Sequence, residues 1–306
     1  MADPVIERPI FVIGTGRSGL SPLMDLISYH PLLAWPSQYH HRMPNRPALA
    51  TKLSRLVDAP LIGRALRFRK GAPEHSEAWP MWHSLFPGFV EPSRDLTAAD
   101  VTPLIRRQFR TRVAQIVADQ GKRRFIAELS GWSRVGFLRE IFPDAQFVHI
   151  VRDGRAVANS LTNVEYWRGW RGVQNWRWGP LPAELEKAFE ATGRSFLALA
   201  GLQWKILVRN IVDQTGKLAE ADHKLVRYED LVKDPGPIAL DVARFCGLDL
   251  EASGFRAHVD TVASTRILNA NTTTMRIPSW RKNMSDDQVA MLDDLLGDEL
   301  RLFGYL

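Results

Sequence analysis

The chain has 306 residues, long enough for one large domain or two small ones, and its 45% hydrophobic and 24% charged residues are ordinary globular usage that supplies a sizeable core. A net charge of +6 favours an anionic partner, but the basic residues are scattered, with short clusters only at 64–70 and 122–124, which argues against a polybasic nucleic-acid arm. The single cysteine, Cys246, excludes an intrachain disulfide and reads as packing on the apolar face of a helix. No run approaches the roughly 20 apolar residues of a membrane span, and the opening residues have neither a basic start nor an apolar signal core, so the cytoplasm is the expected address.

The apolar run 10–13 is bounded by Pro9 and by Gly14-Thr15-Gly16-Arg17-Ser18-Gly19, and continuous apolarity over that length predicts a strand buried on both faces. Ser21 as cap and Pro22 as first residue then open a helix. Residues 31–95 crowd Pro, His, Trp and Arg without a period and read as an irregular cover over a site. A helix is predicted from Thr102-Pro103, a strand at 125–127, a helix over 135–142 and the clearest strand at 146–151, followed by a helix over 154–161. After a tryptophan-rich loop, two helices span 183–215; a strand at 224–228, a helix after Pro237 and a last helix capped by Ser285 complete the chain. Strands alternating with helices predict an α/β fold: a single domain over 1–306 with a parallel central sheet flanked by helices, 31–95 and 163–182 being insertions around an acceptor site or lid.

Two segments carry chemistry. A loop turning from a buried strand into a helix leaves backbone N–H groups unpaired and parallel, and with the helix dipole they form an anion site. In the first segment glycines let that backbone approach a phosphate, Arg17 adds a planar fork of donors, and Ser18 and Ser21 add hydroxyls. The glycine spacing fits an ATP- or GTP-binding P-loop, but Leu20 stands where such a loop has its lysine. In the second segment Arg152 leaves the carboxyl end of a strand, where ligands bind in open α/β sheets, and Ser160 lies about two turns along the next helix. His149 alternates within its strand and reads as a satisfied core histidine, and His30 as the end of a helix.

Together these segments resemble the sulfotransferases that use 3′-phosphoadenosine 5′-phosphosulfate, most of all the bacterial and tyrosylprotein-like branch, whose fold is P-loop-NTPase-like. The resemblance implies that Gly16, Arg17, Ser18, Gly19, Leu20 and Ser21 hold the 5′-phosphosulfate and that Arg152 and Ser160 hold the 3′-phosphate. Arg227-Tyr228 and Trp280-Arg281 resemble two further family elements, which adds Tyr228 and Arg281 to the nucleotide site. It implies sulfuryl transfer to a hydroxyl or amine of a small-molecule, carbohydrate or lipid acceptor, with no metal and no nucleic acid, and it allows a homodimer. Leu20 replaces a threonine that helps hold the 5′-phosphate, and Leu129 stands where relatives often place a lysine near the transferring group.

Arg17 is the expected stabiliser of the leaving phosphate. An acceptor hydroxyl also needs a base, and His40, His41 and Glu128 are the candidates. Between Tyr166 and Trp178 aromatics alternate with arginine, a pattern that suits stacking on an adenine or acceptor ring and equally suits packing on helices. The alternatives left open are a nucleotide-binding relative with little activity, because of Leu20 and Leu129, and a P-loop-type kinase.

Overall fold

The computed structural model describes residues 6–58, 73–91, 93–268 and 279–306. Strand β1 (Ile10–Gly14) leads into helix α1 (Leu20–Ile27), then the short strand β2 (Leu33–Ala34) and helices α2 (Gln38–Arg42), α3 (Pro47–Ser54) and α4 (Trp79–Leu85). Helix α5 (Pro103–Gln120) feeds β3 (Arg124–Ser130), α6 (Val135–Ile141), β4 (Gln146–Val151) and α7 (Gly154–Leu161). The rest comprises α8 (Ala183–Ala191), α9 (Phe196–Thr215), β5 (His223–Arg227), α10 (Tyr228–Lys233), α11 (Pro235–Phe245), α12 (Phe255–Val262) and α13 (Asp286–Leu302).

The five strands form one sheet in the order β2-β3-β1-β4-β5, every described pairing parallel. Because successive strand residues point to opposite faces, β1 divides its side chains between two cores. Ile10 and Val12 join Ile126, Val148 and the helices α1, α11 and α12 on one face. Phe11 and Ile13 join Phe125, Leu129, Phe147 and the helices α5 and α6 on the other. A third core gathers α7, α9 and α13 around Trp204 and Leu296. Continuous burial of β1 and β4 is the physical origin of their unbroken apolar sequence.

The chain leaves β1 toward the β2 edge and leaves β4 toward the β5 edge, so a crevice opens between the carboxyl ends of these neighbours. Gly14 closes β1 because a Cβ there would stand 2.5 Å from the Ile150 carbonyl oxygen of β4.

The fold departs from the sequence reading in three places. β2 has two residues, too few to show a period. The stretch 31–95 is partly ordered into α2, α3 and α4, although 59–72 lie outside the described residues. His149 is buried as expected, but its Nε2 has no hydrogen-bond partner among the described residues, and burial followed by the charge of His223 drives its pKa down to about 3. It is therefore a neutral core residue rather than a satisfied one. His30 follows the end of α1 and its Nε2 meets the Asp249 carbonyl oxygen at 2.9 Å; Cys246 is buried.

Candidate active site

At the crevice the loop after β1 turns tightly enough to force unusual backbone. Arg17 has φ 70° and Gly19 φ 101°, both left-handed. Gly19 caps α1, and a Cβ on it would lie 2.3 Å from the Tyr228 ring, so only glycine fits beneath that ring. The guanidinium of Arg152, which follows β4, lies 4.4 Å from the centroid of the same Tyr228 ring, and its Nη1 donates to the Arg17 carbonyl oxygen at 3.1 Å. Arg17 in turn donates from Nε to Ser160 Oγ at 2.8 Å and from Nη1 to the Tyr166 hydroxyl at 3.4 Å. Arg17 and Arg152 thus converge from two strand ends, and among the described residues neither forms an ion pair. Two adjacent cations held by neutral partners make a seat for anions.

Opposite them lies a buried carboxylate network. His75 meets Glu128 Oε1 through Nδ1 at 2.7 Å and Asp25 Oδ1 through Nε2 at 3.1 Å, and Arg266 donates to the same Asp25 oxygen at 2.9 Å. Burial alone would keep His75 neutral, but the Glu128 charge and the hydrogen bonds to both carboxylates hold it as an imidazolium, with its pKa pushed up to about 10. Asp25 is held below its usual range: burial opposes ionisation, and His75 and Arg266 overcome it. Ser21 donates to the second Glu128 oxygen at 3.2 Å. Two residues beyond His75, Glu77 accepts from the Ser130 backbone N–H at 2.6 Å and from Trp79 Nε1 at 2.8 Å. Burial, then the nearby Glu128 charge, pushes the Glu77 pKa up.

Two cavities meet here. One, of about 580 Å³, is walled by the loop after β1, Arg152, Tyr228, His75 and Glu128. The other, of about 590 Å³, is lined by Trp79, Trp167, Trp176, Trp178 and several arginines. Gly16, Arg17, Glu77, Trp79, Ser130 and Tyr166 border both.

Residues 9–252 match the Sulfotransferase family. The chain belongs to the sulfotransferase family. Its fold is similar to that of the sulfotransferase STF9 from Mycobacterium avium, at 15% identity over 98% of this chain and 78% of the other, with a TM-score of 0.61. It is also similar to STF1 from Mycobacterium tuberculosis, at 18% identity over 96% and 77% of the two chains, with a TM-score of 0.56. No curated protein matches the chain.

This family member brings together most of the residues singled out from sequence. Gly16, Arg17, Gly19, Leu20, Ser21, His41, Glu128, Arg152 and Tyr228 line the first cavity, and Ser160 reaches it through Arg17. Four calls fall elsewhere or look different. The Ser18 hydroxyl is buried and donates to the Thr15 carbonyl oxygen at 2.6 Å, so only its backbone faces the loop's task. His40 is buried in the cap of α2, its Nδ1 accepting from the Ser37 backbone N–H at 3.0 Å and its Nε2 3.1 Å from Thr51 Oγ1. Burial, then the charge of Arg112, lowers its pKa to about 4, so this ring is a neutral structural cap turned away from both cavities. Arg281 is exposed and stacks on Trp280 at 5.2 Å, lining neither cavity; its neighbours 269–278 lie outside the described residues. Leu129 is fully buried in the core on the far face of β3, whereas Glu128 and Ser130 on either side line the crevice. Position 129 therefore does not present a side chain to the crevice.

Of the tryptophan loop, Trp167 and Trp176 are buried while Trp170 is exposed against Phe196, so packing and cavity-lining share the same segment. Sequence reasoning passed over Asp25, His75, Glu77 and Arg134. A signal existed for two of them: on an extended stretch His75 and Glu77 are i and i+2 and share one side.

Proposed function

We propose that this sulfotransferase moves a sulfuryl group from 3′-phosphoadenosine 5′-phosphosulfate to an acceptor hydroxyl, with Glu77 as the base. The observation that carries the reading is the pair Arg17–Arg152, joined through one hydrogen bond of 3.1 Å at adjacent strand ends and lacking carboxylate partners among the described residues. Arg17, the N–H groups at the start of α1 and the Ser21 hydroxyl receive the 5′-phosphosulfate. Arg152 and Ser160 receive the 3′-phosphate, and Tyr228 fixes the Arg152 plane. The Leu20 side chain is buried in the core, so its position offers the donor a backbone N–H alone and no ammonium for a triphosphate.

The acceptor enters from the aromatic cavity, bounded by parts of 73–91 and 163–182. As its oxygen bonds to sulfur, the sulfur–oxygen bond to the 5′-phosphate breaks, the acceptor proton passes to Glu77, and Arg17 with the loop N–H groups takes up the charge appearing on the leaving phosphate. Glu77 suits the role because it borders both cavities and has a raised pKa, whereas Glu128 borders the donor cavity alone and is paired with the His75 cation. His41 lines the donor side only and is exposed.

The test is thermal stabilisation by adenosine 3′,5′-bisphosphate against ATP with Mg²⁺, followed by labelled sulfate transfer. A ligand at a hundred times its Kd stabilises by about 2.7 kcal/mol. The bisphosphate is expected to raise the melting temperature more than ATP does; the reverse order overturns the reading in favour of a kinase.

A further inference from the structure

We infer that the acceptor is an amphipathic anion: an apolar ring body carrying the reacting hydroxyl at one end and a carboxylate, phosphate or sulfate at the other. The inference rests on the proposed transfer reaction and specifies its second substrate.

The aromatic cavity has an unbalanced charge. Arg17, Arg134, Arg168 and Arg177 line it, against Glu77 as the single carboxylate. None of the four guanidiniums forms an ion pair among the described residues. Arg17 belongs to the donor; the other three lie beyond it.

Arg134 is the informative one. It is only 4% exposed, and a buried arginine ordinarily carries a carboxylate partner. Here Nε donates to the Phe89 carbonyl oxygen at 3.0 Å and Nη1 to the Trp132 carbonyl oxygen at 2.8 Å, while the guanidinium lies 4.9 Å from the Phe89 ring centroid and 5.1 Å from that of Trp79. The charges of Asp95 and Glu77 act on this guanidinium from nearby, but neither carboxylate is bonded to it: Asp95 accepts from the Arg134 backbone N–H at 2.9 Å and from Ser133 Oγ at 2.8 Å. The backbone φ of Arg134, 51°, is left-handed, a conformation strained in a non-glycine residue that persists where the surroundings enforce it. The cation is thus oriented by neutral groups, and its Nη2 makes no bond to a described residue.

Arg168 and Arg177 stand at the exposed mouth. Burial first, and then the charge of Arg168, lowers the Arg177 pKa against the opposing charge of Glu91. Between mouth and junction the walls are ring faces and aliphatic groups: Trp167, Trp176, Trp178, Val90, Leu161 and Pro80. Such walls bind a flat apolar body, and the flanking arginines select its charge.

The experiment titrates the intact protein, saturated with adenosine 3′,5′-bisphosphate, with three naphthols of one shape: neutral 2-naphthol, 6-hydroxy-2-naphthoate, and the matching aminomethyl cation. Binding is read calorimetrically at two salt concentrations. The naphthoate is expected to bind at least tenfold more tightly than 2-naphthol, the cation most weakly, and the naphthoate advantage to shrink with salt. In Arg168→Gln/Arg177→Gln, whose changes are exposed, the advantage falls severalfold; in Arg134→Gln it falls further, provided the melting curve stays cooperative. Equal binding of all three probes, or binding of none, with the bisphosphate still bound overturns the inference about the acceptor. Failure of the bisphosphate to bind overturns the transfer reading beneath it.

Discussion

Replacing His75 by glutamine removes the cation between two buried carboxylates without removing much volume. The His75 and Glu128 side chains are 5% and 4% exposed, so solvent and salt screen this pair little. Deleting one partner of a buried charge pair costs about 3–5 kcal/mol, because the other is left uncompensated. Each kcal/mol moves the melting temperature of a domain of this size by roughly 2–4 °C, so a fall on the order of 10 °C is expected near pH 6. The pH dependence supplies the sharper signature. A histidine whose folded pKa is raised to about 10 contributes stability that is complete below its ordinary value near 6.5 and is lost as pH rises through 10. The gap between wild type and His75→Gln should therefore narrow steadily from pH 6.5 to pH 10. Urea unfolding of both proteins at half-unit pH intervals measures it. A gap below about 1 kcal/mol at pH 6, or one of constant size across that range, would refute the imidazolium bridge.

Three further outcomes follow from the same geometry. Glu77→Gln should lower kcat by about 10²–10⁴ while bisphosphate affinity stays within twofold or so; in the wild type the raised Glu77 pKa means activity should fall on acidification at a pH above that of an ordinary carboxylate, an acid limb absent from the residual activity of the variant. Leu129→Lys should not restore anything: it places an ammonium in the far core, costing several kcal/mol, and a variant with unchanged melting temperature and increased sulfate transfer would show that position 129 reaches the crevice after all. The neutral His149 and His40 bind protons more readily when unfolded, so their stabilising contribution should decline as pH falls below about 6.5 toward 4 and then 3; His149→Phe should melt with a weaker acid dependence than wild type, and an unchanged slope would count against a buried neutral ring.

The two segments assigned to the phosphates were legible because their signals are local. A glycine loop bridging an apolar strand and a helix, and an arginine at a strand end, each occupy fewer than about ten consecutive residues, and the chemistry follows from loop geometry. The carboxylate network was not legible, because His75 lies 53 residues from Glu128 and 50 from Asp25, and the i, i+2 spacing of His75 and Glu77 does not point to either partner. His40 misled for a specific reason: the box that begins at Ser37 ordinarily ends in Glu or Gln, and here a histidine ring accepts the returning bond. Leu129 could have been placed from alternation alone, since Glu128 and Ser130 cannot share a face with it. Arg134 gave no signal in sequence, because its meaning lies in the lack of a bonded carboxylate among the described residues, which only the packed chain reveals.

The central claim is that Arg17 and Arg152 hold the two phosphates of one nucleotide. Affinities of wild type and Arg152→Ala for adenosine 3′,5′-bisphosphate and for adenosine 5′-phosphate, measured side by side, test it most directly. Losing a hydrogen-bonded charge contact costs roughly 1.5–3 kcal/mol, so the bisphosphate should weaken by about 10–150-fold and the monophosphate far less. Equal losses for the two ligands would contradict the assignment.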